Sequence, residues 1–116
     1  MTRLNLDGRR FAMVSSTASQ VDPDSPTQFV YREADCVIWG SYEGDTVTHG
    51  RFVGTRRDDE IELSYVHVTK DGRAPVAGRS TSRIEPLSDG RLRLVEDFQF
   101  DGDDTPQVSV CEELRG

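Results

Sequence analysis

Apolar and polar side chains alternate along most of the chain. Within residues 60–68 the alternation places Ile61, Leu63 and Tyr65 on one side of an extended segment. The same pattern continues from Leu92 to Phe100. Successive side chains of a β-strand point to opposite faces, so this pattern predicts antiparallel strands with one buried face. No window of about eleven residues has the spacing of an amphipathic helix, and we expect little helix.

Turn-forming residues separate the alternating segments at fairly even spacing. The Asp-Gly pairs within residues 70–73 and 88–91 favour the positive φ angles that tight hairpins require. Segments and turns together predict a succession of strands. We expect these strands near residues 9–16, 27–33, 36–43, 46–56, 60–69, 74–86, 91–101 and 106–114.

Consecutive hairpins form a meander with one apolar face, and no helix is available to cover that face. The sheet must therefore close on itself or pack against a second sheet. We predict an all-β fold: a single antiparallel up-and-down meander of about eight strands, closed into a small calycin- or streptavidin-like barrel. A two-sheet β-sandwich is the alternative. The length of 116 residues fits one domain spanning residues 1–116.

Charge and hydropathy narrow the range of partners and compartments. The chain has 21 acidic and 14 basic residues, for a net charge of −7. Nucleic acids and anionic membranes select clustered Lys and Arg, so we expect neither as a partner. Residues 1–7 lack the apolar run of a secretory signal, and no apolar segment of roughly eighteen residues occurs. We therefore expect a cytoplasmic protein.

No cofactor or metal site is expected from the motifs. Cys36 and Cys111 follow no metal-ligand spacing, and we interpret them as small, buried or half-buried thiols. His49 and His67 would face each other if the hairpin turns at residues 57–59. A loop that differs by one residue puts the two histidines on opposite faces, and no third ligand is evident.

The register of each strand decides which apolar side chains face the lumen, because a slip of one residue reverses the two faces. In each predicted strand one face is more consistently apolar than the other. The apolar positions expected to face inward are Phe29, Tyr31, Val37, Trp39, Phe52, Ile61, Leu63, Tyr65, Val76, Ile84, Leu92, Leu94, Phe98, Phe100, Val108, Val110 and Leu114.

The same choice of register carries several polar groups into the lumen. A carboxylate buried without partners is costly, so Glu96 must be paired, hydrated or protonated. The Ser82 hydroxyl is one expected partner, and the last hairpin could bring Glu112 near Glu96 as a pair of carboxylates. The polar residues expected to face inward are His67, Ser80, Ser82, Glu96 and Glu112.

Several strand-and-turn segments carry a family resemblance. They are residues 5–11 (NLDGRRF), 54–55 (GT), 64–68 (SYVHV), 78–82 (GRSTS) and 87–94 (LSDGRLRL). They resemble small bacterial β-barrel proteins of about this length, many of which carry the automatic label "N-acetylglutamate synthase". Similar proteins tend to have Trp at Phe98 and Phe100, and Pro-Glu at Ser82-Arg83. The resemblance implies a functionally uncharacterised family of small barrels.

The enzymatic label implies an acetyl-coenzyme A transferase, and the chain lacks the motif of that class. Such enzymes hold the pyrophosphate with a Gln/Arg-x-x-Gly-x-Gly/Ala turn between a strand and a helix. Residues 51–56 (RFVGTR) come nearest, but they end in Arg and lie within a predicted strand. We therefore expect no acetyltransferase activity.

Three hypotheses for function stay open. The first is a binding module whose lumen holds a small polar or mixed ligand. The second is an enzyme that uses Glu96 and His67 as an acid–base pair. The third is a barrel with a packed lumen that acts through its surface, as a homo-oligomer. The candidate ligand-binding residues are Trp39, Tyr65, His67, Ser80, Ser82, Glu96, Phe98, Phe100 and Glu112.

Overall fold

The computed structural model describes residues 5–18, 21–72 and 74–114, which form one antiparallel β-barrel. Each strand pairs with the next in the chain, and the last strand pairs back with the first. The closed barrel confirms the predicted all-β meander and excludes the sandwich. The strands are β1 (Arg10–Ser16), β2 (Gln28–Ala34), β3 (Val37–Gly44), β4 (Val47–Arg57), β5 (Glu60–Thr69), β6 (Val76–Pro86), β7 (Leu92–Phe100) and β8 (Gln107–Glu113).

The turns agree with the chemistry expected from the sequence. Gly72 and Gly90 follow Asp residues and adopt φ angles of 73° and 90°. Asp58 has a φ of 54° in the two-residue turn between β4 and β5. Positive φ is tolerated best by Gly, Asn and Asp, which explains why these residues stand at the hairpins. Of the predicted turn at residues 70–73, Arg73 lies outside the described residues, as do residues 1–4 of the N-terminal segment.

Up-and-down connectivity gives the barrel two ends of different character. The short connections at residues 35–36, 58–59 and 87–91 lie at one end, where the lumen is filled by apolar side chains. We call this the closed end. The other end, the open end, has the connections at residues 17–27, 45–46, 70–75 and 101–106. Buried apolar residues of the closed end include Leu6, Phe11, Ile38, Ile61, Ile84 and Leu92.

The predicted inward face of β3 is wrong by one residue. Ile38 is fully buried, whereas Trp39 is 40% exposed and lies on the outer face beside Val37. The two-residue turn between β2 and β3 pairs Ala34 with Val37, so Tyr31 of β2 lies opposite Gly40. Tyr31 faces inward, and the even-numbered residues of β3 therefore face inward with it. Trp39 cannot contribute to the lumen wall.

The predicted inward face of β8 is also reversed. Ser109 and Cys111 are buried, and Val108 is exposed on the outer face. Ser109 pairs with Glu96 of β7, and Glu112 pairs with Arg93. Glu112 therefore points outward, and the predicted carboxylate pair with Glu96 does not form. The inner positions of β8 are less apolar than the outer ones, which is why alternation alone misassigned them.

The two cysteines differ in their surroundings. Cys111 is buried, in agreement with its interpretation as a buried thiol. Cys36 lies in the turn between β2 and β3, where it is exposed and has a φ of 65°. The expectation of a buried or half-buried thiol is therefore wrong for Cys36. In the part of the chain that the structure describes, no helix has the length and apolar character needed to cross a membrane.

Candidate ligand-binding site in the barrel

The lumen widens into a cavity of about 460 Å³ at the open end of the barrel. Side chains of seven strands, β1 to β7, and of two connecting segments line it. The size is that of a pocket for a small organic molecule. The lining residues are Met13, Ser16, Ala18, Thr27, Phe29, Tyr31, Tyr42, Thr46, Val47, Phe52, Leu63, Tyr65, His67, Thr69, Val76, Glu96, Phe98 and Phe100.

Aromatic rings form most of the cavity wall because inward-facing glycines give them room against the backbone. The ring of Tyr42 lies over Gly50 of the neighbouring strand, where an added Cβ would stand 2.5 Å from Cζ. Tyr65 lies over Gly78 in the same way. Rings placed flat against the strands leave the centre of the lumen open.

Ring–ring contacts hold this wall together. Phe29 stacks on Tyr42 with centroids 5.2 Å apart, and the centroids of Tyr31 and Phe52 are 4.7 Å apart. On either side of β6, Phe98 meets Tyr65 edge to face, with centroids 6.4 Å apart. Such pairs each contribute roughly 0.5–1.5 kcal/mol beyond their buried area. The wall therefore does not depend on a bound ligand for its contacts.

His67 lies at the open end within this aromatic wall. Its Nδ1 and the Tyr42 hydroxyl share a hydrogen bond of 2.8 Å, and its ring is parallel to that of Tyr65. Burial lowers the pKa of His67 below its ordinary value, because the imidazolium form is poorly solvated there. The ring is therefore neutral at neutral pH.

Glu96 is the acidic group of the cavity. Ser109 Oγ donates to Oε1 at 3.2 Å, and Ser82 Oγ donates to Oε2 at 3.5 Å. Burial raises the pKa of Glu96, and the hydroxyls of Ser80, Ser109 and Ser82 offset part of that increase. The expected contact between Ser82 and Glu96 is confirmed.

Ser80 stands apart from the other two serines. Its hydroxyl is close enough to lower the pKa of Glu96. Its Oγ is nevertheless buried and forms no hydrogen bond of normal geometry with any residue that the structure describes. A buried hydroxyl is stabilised by a polar neighbour, and the Glu96 carboxyl is the group on which the Ser80 hydroxyl acts.

A comparison with protein families decides the relationship of this barrel to known proteins. Residues 4–114 match the family described as "Avidin-like protein". The chain belongs to the avidin-like family. The match spans nearly the whole chain and confirms the predicted streptavidin-like barrel. Comparisons with curated proteins and with solved structures give no match.

The avidin-like barrel brings together most of the residues predicted for its site. Five of them line the cavity, and two serines lie buried beside Glu96. The prediction that Trp39 and Glu112 face this site is wrong, since both point away from the lumen. The residues that line the cavity as predicted are Tyr65, His67, Glu96, Phe98 and Phe100, with Ser80 and Ser82 beside them.

Two residues of the site were missed because their strands were placed in the wrong register. Tyr42 belongs to β3 and Ser109 to β8. A signal for Tyr42 was present in the sequence: a two-residue turn at Asp35-Cys36 places Tyr42 opposite the inward-facing Phe29. Ser109 follows in the same way from its place opposite Glu96.

The avidin-like barrel separates the groups proposed for acid–base and metal chemistry. The cross-strand row that contains Glu96 runs through Ser82 to Ile61 of β5, six residues before His67. Their hydrogen-bond partners differ as well: Glu96 accepts from serines, whereas His67 pairs with Tyr42. His67 pairs with Gly50, so His49 lies on the opposite face. No metal-binding group of three or more His, Cys, Asp or Glu residues occurs among the described residues.

Proposed function

We propose that the protein binds a small organic molecule in the cavity at the open end of its barrel. The observation that carries this proposal is the cavity itself, about 460 Å³ in volume and lined by aromatic rings around one carboxylate. A barrel that serves only as a scaffold has no need of such a space, because packed interiors leave few voids larger than a water molecule. The cavity supports ligand binding over the hypothesis of a packed lumen.

The lining favours a ligand of mixed character. Aromatic and aliphatic side chains supply apolar surface, and a few polar groups converge on one region near Glu96. This combination is typical of pockets in which apolar contact gives affinity and a small number of polar groups fix the orientation. Because no described contact joins Glu96 to His67, the arrangement supports binding rather than acid–base catalysis.

A neutral fluorescent probe tests the proposal. N-phenyl-1-naphthylamine becomes fluorescent in apolar surroundings, and we expect saturable enhancement with the wild-type protein. Val76→Trp places a bulky ring at the cavity and should abolish the saturable signal. Val108→Trp makes the same change on the outer face of β8 and is the matched control, because Val108 is exposed and does not line the cavity. Equal binding by both variants, or none by the wild type, would overturn the proposal.

We also propose that copies of the chain associate through the outer face of β3 to β5. Trp39 and its cross-strand partner Val53 are exposed there, and Val66 is exposed on the next strand. A contiguous apolar patch on a soluble protein is typical of an interaction surface. Sedimentation velocity tests this: Trp39→Glu should shift the protein to a smaller species. Gln99→Glu, on the outer face of β7, should leave the sedimentation coefficient unchanged.

A further inference from the structure

Glu96 is a carboxyl group inside the lumen without a positive partner among the described residues. Its two hydrogen-bond partners are neutral serine hydroxyls, and none of the described cavity-lining residues is Lys or Arg. A carboxylate in low-dielectric surroundings is stabilised mainly by an opposite charge or by several hydrogen bonds. A positive charge or a group with several hydrogen-bond donors would therefore be stabilised beside Glu96.

The titratable groups around Glu96 do not provide a positive charge. They come from β2, β3, β5 and β8, and Asp97 follows Glu96 on β7 itself. Burial raises the pKa of each tyrosine and of Cys111, so these groups are neutral at neutral pH, and the Glu96 charge adds to that increase. His67 is neutral for the opposite reason, a lowered pKa. The groups on which Glu96 acts are Tyr31, Tyr42, Tyr65 and Cys111, and His67 is the further titratable group of the cavity.

Hydrogen-bonding capacity around Glu96 points to a group with several donors. Each carboxylate oxygen accepts one serine hydroxyl and has room for a second bond, since an ionised carboxylate offers about four acceptor sites. Ser80 Oγ beside it has no partner of normal geometry among the described residues. An ammonium group carries three donors and no acceptor, which matches a site with spare acceptors.

The aromatic wall of the cavity also favours a positively charged ligand. The faces of aromatic rings are negative, and a cation within about 6 Å of a ring centroid gains roughly 0.5–2 kcal/mol. Rings of Tyr31, Tyr65 and Phe98 line the cavity together with Glu96. A cavity that combines one carboxylate with aromatic rings is complementary to an organic cation.

The entrance to the cavity is acidic, which is an observation independent of Glu96. The four connections at the open end hold seven Asp residues against Lys70 and Arg73. Asp101 is close enough to the lumen to raise the pKa of Tyr65. Clefts lined by one sign of charge attract ligands of the opposite sign. The acidic residues are Asp22, Asp24, Asp45, Asp71, Asp101, Asp103 and Asp104.

We infer that the ligand is an organic cation, with a protonated amine that pairs with Glu96 and an apolar body that lies among the aromatic rings. This inference rests on the proposed ligand-binding function and names the chemical class of its ligand. The amine donates to the acceptor sites of Glu96 that the serine hydroxyls do not use.

Three probes with one ring system and three charges test the inference. They are 1-naphthylmethylamine, the neutral 1-naphthalenemethanol and the anionic 1-naphthoate, measured by titration calorimetry at neutral pH. We expect the amine to bind at least about tenfold more tightly than the alcohol, and the carboxylate to bind most weakly. An alcohol or carboxylate that binds as tightly as the amine would overturn the inference.

Glu96→Gln is the decisive variant, because it removes the charge and keeps the shape. Amine affinity should fall at least about tenfold, and alcohol affinity should change less than about threefold. N-phenyl-1-naphthylamine binding shows whether the variant still folds. If the variant does not fold, titrations of the wild type at decreasing pH take its place. Protonation of Glu96 must then weaken binding of the amine and leave binding of the alcohol unchanged. An amine affinity insensitive to both changes contradicts the inference.

The outcomes separate this inference from the proposed function. Neutral probes could bind the wild type but not Val76→Trp, while the amine binds no more tightly than they do. This result would support the proposed binding function and contradict the inference that the ligand is a cation. The same holds if N-phenyl-1-naphthylamine binds and the naphthyl amine does not. Absence of binding by every probe overturns both.

Discussion

The guanidinium of Arg56 donates to the carboxylate of Glu33 at 2.8 Å inside the closed end of the barrel, where the two side chains are 0% and 6% exposed. Arg56 Nε also donates to the carbonyl oxygen of Asp58, and the backbone N–H of Leu6 donates to Glu33. The pair ties β2 to β4 and to the segment before β1. It therefore fastens the end of the barrel opposite the cavity.

Removal of one partner of this ion pair should destabilise the folded protein. Arg56→Leu leaves the Glu33 carboxylate buried without its guanidinium, and we expect a loss of about 3–5 kcal/mol in the free energy of unfolding. Urea denaturation measures it. Arg32→Leu is the matched control, because Arg32 pairs with Asp7 at the surface and such pairs contribute at most about 1 kcal/mol. Equal losses in the two variants would show that the buried pair has no special role.

The raised pKa of Glu96 predicts how the free energy of unfolding depends on pH. A carboxyl whose pKa is higher in the folded state than in the unfolded state binds protons more tightly when folded. The contribution of Glu96 to the free energy of unfolding therefore decreases as pH rises from 4.5, the ordinary pKa of the group, through the raised pKa of the folded state. Ionised Glu96 lowers the free energy of unfolding at neutral pH relative to the protonated form.

Glu96→Gln should remove this part of the pH dependence. We expect the free energy of unfolding of the variant, relative to wild type, to increase as pH rises from about 4 to about 8. Glu62→Gln, at an exposed position of β5, should run parallel to wild type. Chemical denaturation at a series of pH values measures the difference. A difference that stays constant, or that decreases with pH, would contradict the raised pKa.

The fold could be predicted from the sequence because apolar residues recur at alternate positions along most strands. In β5 and β7 apolar residues recur at alternate positions, at Ile61, Leu63 and Tyr65 and again at Leu92, Leu94 and Phe98, which favours one face as the buried one. In β3 the run Val37-Ile38-Trp39 is apolar at three successive positions, and both registers look equally favourable. The two-residue turn before β3 decides between them, and its backbone geometry is not visible in a pattern of apolar residues.

The residues of the candidate site could be predicted only on strands whose register was predicted correctly. Tyr65, His67 and Glu96 follow from β5 and β7, whereas Ser109 depends on β8, whose inner face is less apolar than its outer one. The volume of the cavity could not be predicted at all. It depends on how far rings such as Tyr42 lie back over glycines, which is a property of packing between strands.

Two glycines on the inner face of β4 should differ in their tolerance of a methyl group. At Gly50 the atoms nearest to an added Cβ belong to the ring of Tyr42, which can rotate toward the lumen. At Gly54 it meets the backbone of Glu62 and Leu63, which cannot move without breaking the pairing of β4 and β5. We expect Gly50→Ala to cost about 1–3 kcal/mol in the free energy of unfolding, and Gly54→Ala to cost more.

The same two variants bear on the cavity. Gly50→Ala should push Tyr42 into the lumen, lengthen its hydrogen bond to His67 and weaken N-phenyl-1-naphthylamine binding. The His67 resonances in NMR spectra report the change at this contact. If Gly54→Ala is the milder variant, or if Gly50→Ala leaves the His67 resonances unmoved, the placement of Tyr42 over Gly50 is incorrect.

The chain has one tryptophan, so the fluorescence of Trp39 reports its surroundings directly. On the outer face Trp39 is 40% exposed, and its emission should be quenched efficiently by acrylamide in dilute protein. Quenching should become weaker as protein concentration rises, because the proposed contact between copies covers β3 to β5. Gln99→Glu should follow the wild-type concentration dependence.

Substitution of Trp39 separates the outer face from the lumen. Trp39→Glu should change the free energy of unfolding of the dilute protein by no more than about 0.5 kcal/mol, because exposed positions tolerate substitution. It should also leave the affinity for N-phenyl-1-naphthylamine unchanged, since Trp39 does not line the cavity. Loss of probe binding in Trp39→Glu, together with weak acrylamide quenching at every concentration, would place Trp39 in the lumen. In that case the register of β3 must be shifted by one residue, and Tyr42 could not pair with His67.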